Sequence, residues 1–478
     1  MKKRIFTAAG FAALAGLAAF GLASCGEKEW KVPTPKDWKE PTIPTYSASA
    51  TDGGSVVNIR VWNDEFVNRF KDYYPGAVET KAGEEFEIKD PADQTKKLKV
   101  VFQTTANQNN AYQIALDEAL DKQATAAADQ KVDMFLLEAD YALKYVNTNN
   151  TVAVDDIGIT TTDTAQMYKY TKDIATSNGK LKALSWQATP GLFAYRADIA
   201  KEVLGTDDPT EVQKALANWT KFDETAKKMK EKNYCMLSGY DDAYRVFSNT
   251  ISKPLVDKAT GIINIDPQLE KWIDQTKEYT DKGYNNKTSL WDPAWSKQQT
   301  IEGNTFGFFY STWGVNFTLA DNAKIEKDGK SLVGQYRVCE GPASYFWGGT
   351  WLACANGSDN KTAVADIMKK LTCDKAIAKK ITEDTLDYTN NKEAMNELAQ
   401  STTFGPEKCK LLGGQNHIKL FAAAADKIVM DKTTIWDQGF NENIQSAFKD
   451  FFEGKVSRNT AYWNFYKKLS TTYTEFEY

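Results

Sequence analysis

Between Val56 and Tyr141 the apolar period of the sequence changes repeatedly, and that alternation decides which folds are open to the chain. Val56-Val57-Asn58-Ile59-Arg60-Val61-Trp62 alternates as a half-buried strand does. Asn63-Asp64-Glu65 follows, and residues 66–74 are spaced as a helix. Residues 98–102 predict a second strand. Residues 110–131 predict a helix with Tyr112, Leu116, Ala119 and Leu120 on one face, and residues 132–138 a third strand. Strands alternating with helices give an α/β unit around a largely parallel sheet. In such sheets ligands gather beyond the carboxyl ends of the strands. Trp62, Asn63, Asp64 and Glu65 stand there after the first strand, and Glu138 and Asp140 after the third.

Residues 181–196 depart from this order. Leu181, Ala183 and Leu184 suit a buried strand, Ser185 to Gly191 break the pattern, and Leu192, Phe193 and Tyr195 resume it. Pro190 and Gly191 inside a strand-like run argue against a central strand. They suit a crossover between two lobes, with Trp186 and Gln187 on the floor of the cleft, where ligands preferentially bind. An ordinary buried strand with a core Trp would read the same way. Beyond this point helices dominate. Asp208-Pro209, Asp266-Pro267 and Asp292-Pro293 each predict an N-cap with Pro at the first helical position. Strands are expected at residues 306–310, running into Ser311-Thr312-Trp313-Gly314, and at 335–339. The run Tyr345-Phe346-Trp347-Gly348-Gly349-Thr350-Trp351 comes next, then helices near 360–371, 391–399, 416–428, 440–452 and 459–469. A helix is also expected over 162–176.

The N-terminus reads as a targeting segment. Lys2, Lys3 and Arg4 precede an apolar, Ala- and Gly-rich stretch that closes on Leu22-Ala23-Ser24-Cys25. The ending resembles a bacterial lipobox, which implies cleavage after residue 24 and acylation of Cys25. Two lipid signals give a stable anchor. A single-pass membrane helix is the competing reading of the same stretch. Residues 25–55 hold Pro33, Pro35, Pro41 and Pro44 and are expected to form an extended, semi-rigid stalk. Trp30 and Trp38 within it would touch lipid headgroups or the body of the protein. The remaining length, out of 478 residues, exceeds a usual single domain. The formal charge is −5 and becomes more negative once the basic leader is removed, which excludes nucleic-acid binding as a role. Cys235, Cys339, Cys354, Cys373 and Cys409 form no Cys-x-x-Cys pair, so buried free thiols are expected; one disulfide stays open.

Enzyme signatures are missing. The sequence has no Gly-x-Ser-x-Gly, no His-Glu-x-x-His and no phosphate-binding Gly-rich loop. His417 is the only histidine and falls in an Ala-rich stretch, where an ordinary surface or half-buried place is expected; a His-based triad or zinc site is excluded. No metal or cofactor is expected. The distinctive feature is aromatic placement. Of 13 Trp, Trp62, Trp186, Trp313, Trp347 and Trp436 stand beside Gly or polar residues outside apolar faces. A sugar ring stacks its C–H face on such a ring and bonds its hydroxyl edge to Asp, Asn, Gln or Arg. Large aromatics also build cores, so about half of these five are expected to be structural.

The stretches 58–65, 132–145, 181–198, 308–314 and 347–355 fall in the order seen in family 1 extracellular solute-binding proteins, the lipoprotein receptors of ATP-driven carbohydrate importers. The resemblance spans nearly all of the chain after the leader. It implies an α/β, two-lobed periplasmic-binding-protein-like fold (type II), with the lobes joined by hinge crossover strands. The first lobe would hold residues 56–184 with about 340–388, and the second 185–339 with about 389–478. The implied ligand is a carbohydrate and the implied partner an ABC importer permease. Membrane attachment would run through Cys25, and the protein would be a monomer. Ligand-binding candidates are Trp62, Asn63, Asp64, Glu65, Glu138, Asp140, Trp186, Gln187, Trp313, Trp347, Gly348, Gly349 and Trp436. Trp313 is expected to stack on a sugar while Asp140 bonds its hydroxyls from the opposite lobe. Arg196 stands where relatives often carry Asn, which leaves its role open. Two alternatives remain: a carbohydrate hydrolase using Asp64 or Glu65 with Asp140, and a receptor for another polar solute such as glycerol phosphate or a polyamine. The named stretches offer acids and aromatics, not the cationic cluster a phosphate needs.

Overall fold

A seven-stranded sheet organises the first half of the computed structural model, which describes residues 28–478. Cys25 and the leader lie outside the described residues. Val56–Val61 lies between Lys97–Thr104 and Met134–Glu138, parallel to both. Thr350–Cys354 then returns antiparallel against Met134–Glu138, with Thr350 opposite Glu138, and Leu184–Ser185 closes that edge. The other edge is a hairpin, Val78–Lys81 and Glu85–Lys89, that the sequence pattern did not announce. Val78–Lys81 is exposed along its whole length and only Phe86 and Ile88 turn inward, so little periodicity was there to read.

A second, three-stranded antiparallel sheet has Gly191–Arg196 at its centre, between Gly307–Ser311 and Tyr336–Cys339. The segment 184–196 therefore pairs in one sheet and, six residues on, in the other. It is a crossover, as expected, but its far half is a central strand, contrary to the argument from Pro and Gly. Pro190 precedes the strand and breaks no ladder bond within it. Gly191 is required by close approach: a Cβ there would fall 2.0 Å from the Tyr345 ring, whose hydroxyl donates toward the Leu192 and Tyr310 carbonyls at 2.9 and 3.1 Å.

The Asp-Pro signals hold at three helix starts, Pro209–Leu216, Pro267–Lys282 and Pro293–Lys297. Asp208 and Asp266 accept backbone N–H bonds as caps, while Asp292 makes none. Three helices are shorter than the pattern suggests, one of them Ile418–Ala425 where 416–428 is expected. Ala111–Asp121 stops because Gln123 turns its amide onto the backbone of Val132, at 2.7 and 2.9 Å. The helix expected over 162–176 contracts to Lys169–Asp173, because Thr160 and Asp163 bond locally instead. Packing follows strand alternation: Met134 and Leu136 join one apolar cluster, while Phe135 and Leu137 join another that runs on through Phe193 and Phe309 of the second sheet.

Residues 28–55 are not a free stalk. Trp30 stacks on Tyr462 at 5.3 Å, Trp38 packs on Trp436 and Phe476, and Tyr46 bonds Asp156. The proline-rich chain lies along the body because Trp30 and Trp38 find aromatic partners there and Tyr46 a carboxylate and a backbone amide. No helix among the described residues is long and apolar enough to cross a membrane.

The five described cysteines are free, and all but the half-buried Cys373 are buried. His417 is not at the surface: it is 1% exposed, with Nδ1 3.3 Å from the Cys409 sulfur and Nε2 3.3 Å from the Leu386 carbonyl oxygen. Burial lowers its pKa to about 4. A neutral buried imidazole contributes stability that is complete above the unfolded value of about 6.5 and is lost as pH falls toward 4, at about 1.4 kcal/mol per unit. In urea titrations, His417→Gln is expected to be less stable than the parent at pH 7.5 and to close that gap as pH falls to 5. A gap independent of pH would mean that His417 titrates normally.

Candidate functional site

Between the two sheets three indole rings meet. Trp313 follows the strand Gly307–Ser311, and Trp347 leads into Thr350–Cys354, so the crossovers carry them to one crevice. Trp313 Nε1 donates to the Trp347 carbonyl at 2.9 Å, and the rings pack edge to face at 5.2 Å. Trp291 completes the group, stacked on Trp313 at 6.0 Å and tilted against Trp347 at 6.0 Å. It is 55% exposed, and its backbone is left-handed with φ of 70°. A bulky residue rarely adopts that conformation unless its surroundings hold it there. Gly348, with φ of 73°, gives the rings their room: a Cβ would stand 3.0 Å from Trp313 Nε1 and 3.6 Å from Glu138 Oε1. The backbone of this turn is fixed by Thr189 Oγ1 donating to the Gly348 carbonyl at 2.7 Å and by Ala139 N–H donating to that of Gly349 at 3.3 Å.

Beside the rings stands a charged pair. Arg245, from the helix Tyr244–Ser248, donates both terminal nitrogens to Asp140, at 2.6 and 2.5 Å. Asp140 is expected to face hydroxyls; the structure gives its carboxylate a fork-to-fork guanidinium partner. Glu138 accepts the Asp140 amide N–H at 2.7 Å. Burial, and then the neighbouring Asp140 charge, push its pKa up to about 8 against the pull of Arg245. The shift favours the protonated form of Glu138, which has a donor as well as acceptors. A crevice of about 380 Å³ opens beside Arg245, Trp291 and Trp347, lined also by Asp241, Glu442 and Lys449.

A second polar cluster lies at the crossovers. Asp387, fully buried, accepts from Gln187 Nε2 at 3.1 Å, Thr312 Oγ1 at 3.1 Å and the Tyr388 amide at 2.9 Å, with Arg69 at 3.5 Å. Gln187 also donates to Glu65 at 3.1 Å. Burial and the Asp387 charge push Glu65 up to about 7, with Arg69 and Gln187 opposing. This network ties the first helix, the crossover and the second sheet together.

The structure thus gathers Glu138, Asp140, Trp313, Trp347, Gly348 and Gly349 in one place. Trp62 is half-buried at its margin, edge-on to Tyr112 and Tyr141 at 5.3 and 6.4 Å. Asn63 accepts the Glu65 amide N–H at 3.0 Å, and Asp64 is exposed. Glu65 and Gln187 belong to the Asp387 network. Trp186 is core, 2% exposed and stacked on Phe66 at 5.2 Å. Trp436 is core as well, under Trp38 and Phe476, with Nε1 donating to Glu475 at 2.9 Å. Arg196 forms a local fork with Asp198 at 2.7 and 2.6 Å. Sequence reasoning missed Trp291, Arg245, Arg69 and Asp387. The available signals were a Trp directly before an Asp-Pro helix start and the scarcity of Arg relative to Lys. No group of three metal-ligating side chains occurs among the described residues.

The sequence profile of bacterial extracellular solute-binding proteins matches residues 101–404. The chain belongs to that family. Its members bind solutes outside the cytoplasm. No curated protein matches the sequence. Among solved structures, this solute-binding protein is similar to an extracellular solute-binding protein of family 1, at 17% identity and a TM-score of 0.66, over 87% of this chain and 99% of the other. It is also similar to an ABC-transporter-associated binding protein from B. animalis subsp. lactis Bl-04 in complex with β-1,6-galactobiose, at 18% identity and 0.62, over 88% and 98%. A third is the galacto-N-biose-/lacto-N-biose I-binding protein of Bifidobacterium longum in complex with lacto-N-biose, at 11% and 0.60, over 89% and 99%. At these identities the likeness is one of fold: two α/β lobes joined by crossovers.

Proposed function

We propose that this protein captures a carbohydrate, an oligosaccharide, in the interlobe crevice and delivers it to the permease of an ABC importer. The observation that carries the reading is the platform of Trp291, Trp313 and Trp347 beside Glu138 and the Asp140–Arg245 pair. Flat rings take the apolar face of a sugar, and adjacent carboxyl and guanidinium groups take its hydroxyls. Structural neighbours solved with β-1,6-galactobiose and lacto-N-biose support the ligand class. A hydrolase has less support, since Asp64 is exposed, Glu65 faces Gln187 and Asp140 is held by Arg245. A glycan array, read for both binding and product formation, tests the proposal. Binding without turnover supports it, and the absence of any bound glycan sinks it.

The lobes are proposed at 56–184 with about 340–388 and at 185–339 with about 389–478, closing on ligand about the crossovers. Small-angle scattering should give a smaller radius of gyration at saturating glycan. An unchanged radius would remove the hinge. The anchor is proposed at Cys25, with a monomer tethered to the membrane. Cys25→Ala is expected to lose membrane partitioning, and full retention of the variant in the membrane fraction would show that another feature anchors the chain.

A further inference from the structure

We propose that residues 40–44 of the N-terminal segment form the third wall of a glycan subsite beside the tryptophan platform, so that the protein selects ligands longer than a disaccharide; this rests on the carbohydrate reading above. The segment is pinned on both sides of that stretch. Before it, Trp38 Nε1 donates to the Lys258 carbonyl at 3.0 Å and its ring covers Gly261. After it, Tyr46 Oη donates to Asp156 at 2.6 Å and accepts from the Ala153 amide at 2.8 Å. Between the two anchors Pro41, Ile43 and Pro44 roof a cavity of about 640 Å³. That lies within the range of small-molecule sites, roughly 300–1,000 Å³.

The other two walls come from different parts of the chain. Asn110, Gln113 and Ile114 stand at the start of the helix Ala111–Asp121, and Gln438 and Glu442 on the helix Asp437–Phe452. Glu442 also lines the crevice that holds Trp291 and Trp347, so one side chain borders both spaces. Asn109 and Asn110 both have left-handed backbones, with φ of 52° and 61°. Asn110 does not cap its helix, and its Oδ1 accepts from Gln113 at 3.4 Å and Gln438 at 3.2 Å. Gln113 in turn donates to Gln438 at 3.2 Å. Side-chain amides both donate and accept, which is what a row of sugar hydroxyls requires. Ile43 and Ile114 are 40% and 56% exposed and offer apolar surface to sugar C–H faces. Two prolines in the roof limit what must be ordered on binding.

The test is calorimetric titration of the full-length protein with size ladders of malto- and galacto-oligosaccharides, from two to six units, together with the glycan array. Affinity is expected to rise about tenfold between two and four units, the scale of one or two added hydrogen bonds. Ile43→Ser and Gln438→Ala should each remove most of that rise and leave disaccharide affinity unchanged, with melting curves as the fold control. Both positions are at least partly exposed, and either variant alone suffices if the other fails to fold. Equal affinity for two and four units overturns the subsite. So do equal losses for short and long ligands, which would make the segment a brace between lobes. If no glycan binds at all, the carbohydrate reading falls and this inference with it.

Discussion

Asp387→Ala is expected to destabilise the fold by about 3–5 kcal/mol, the usual cost of removing one partner from a buried ion pair. Asp387 is 0% exposed and Arg69 6%, and Arg69 Nε already lacks a hydrogen-bond partner among the described residues. Without Asp387 the guanidinium keeps only Glu65, at 3.9 Å, beyond hydrogen-bond reach. Gln187 and Thr312 lose their acceptor at the same time. Urea titration should show a lower midpoint at unchanged slope. Arg69→Met added to Asp387→Leu should recover much of the loss, because the cost lies in the orphaned charge and not in the pair itself. A loss under about 1 kcal/mol for Asp387→Ala would mean that solvent reaches the site and screens Arg69.

That network also shows where a single sequence stops being readable. The crossover was legible because its pattern broke locally, at Pro190 and Gly191. Trp313 and Trp347 were legible because each stands beside glycine, out of period with its strand. Glu138 and Asp140 followed from the rule that places ligands beyond strand ends. Asp140 and Arg245, however, are 105 residues apart, and nothing in either neighbourhood marks the other. Asp387 lies 318 residues from Arg69, two residues beyond the helix Lys375–Thr385, which the sequence pattern did not announce. Trp186 and Trp436 look like cleft residues by the same polar-neighbour rule that singles out Trp313. Their burial is decided by Phe66 in one case and by Trp38 in the other, contacts made only when distant segments meet. The stalk reading failed in the same way, since proline content describes stiffness and not what the aromatic side chains of a stiff segment can rest on.

Trp291→Gly is expected to weaken glycan binding by about 1–3 kcal/mol, roughly five- to more than a hundredfold, while changing the stability of the fold little. The two effects separate because the ring and the backbone pull in opposite directions. With φ of 70° the residue sits where an L side chain costs about 1–2 kcal/mol and glycine costs none. Trp291 is 55% exposed, so the substitution gives up the rest of its burial and its contacts to Trp313, Trp347 and Trp295, which offset that relief. In the free protein Trp291 is held on a strained backbone by its ring contacts to Trp295, Trp313 and Trp347, while its other face is left to solvent. Its retention makes sense if the exposed face meets ligand. Melting curves and calorimetric titrations on the same preparation decide it. A Trp291→Gly protein that binds as tightly as the parent removes the ring from the site. One that melts well below it shows that Trp291 packs as core, and the platform would then reduce to Trp313 and Trp347.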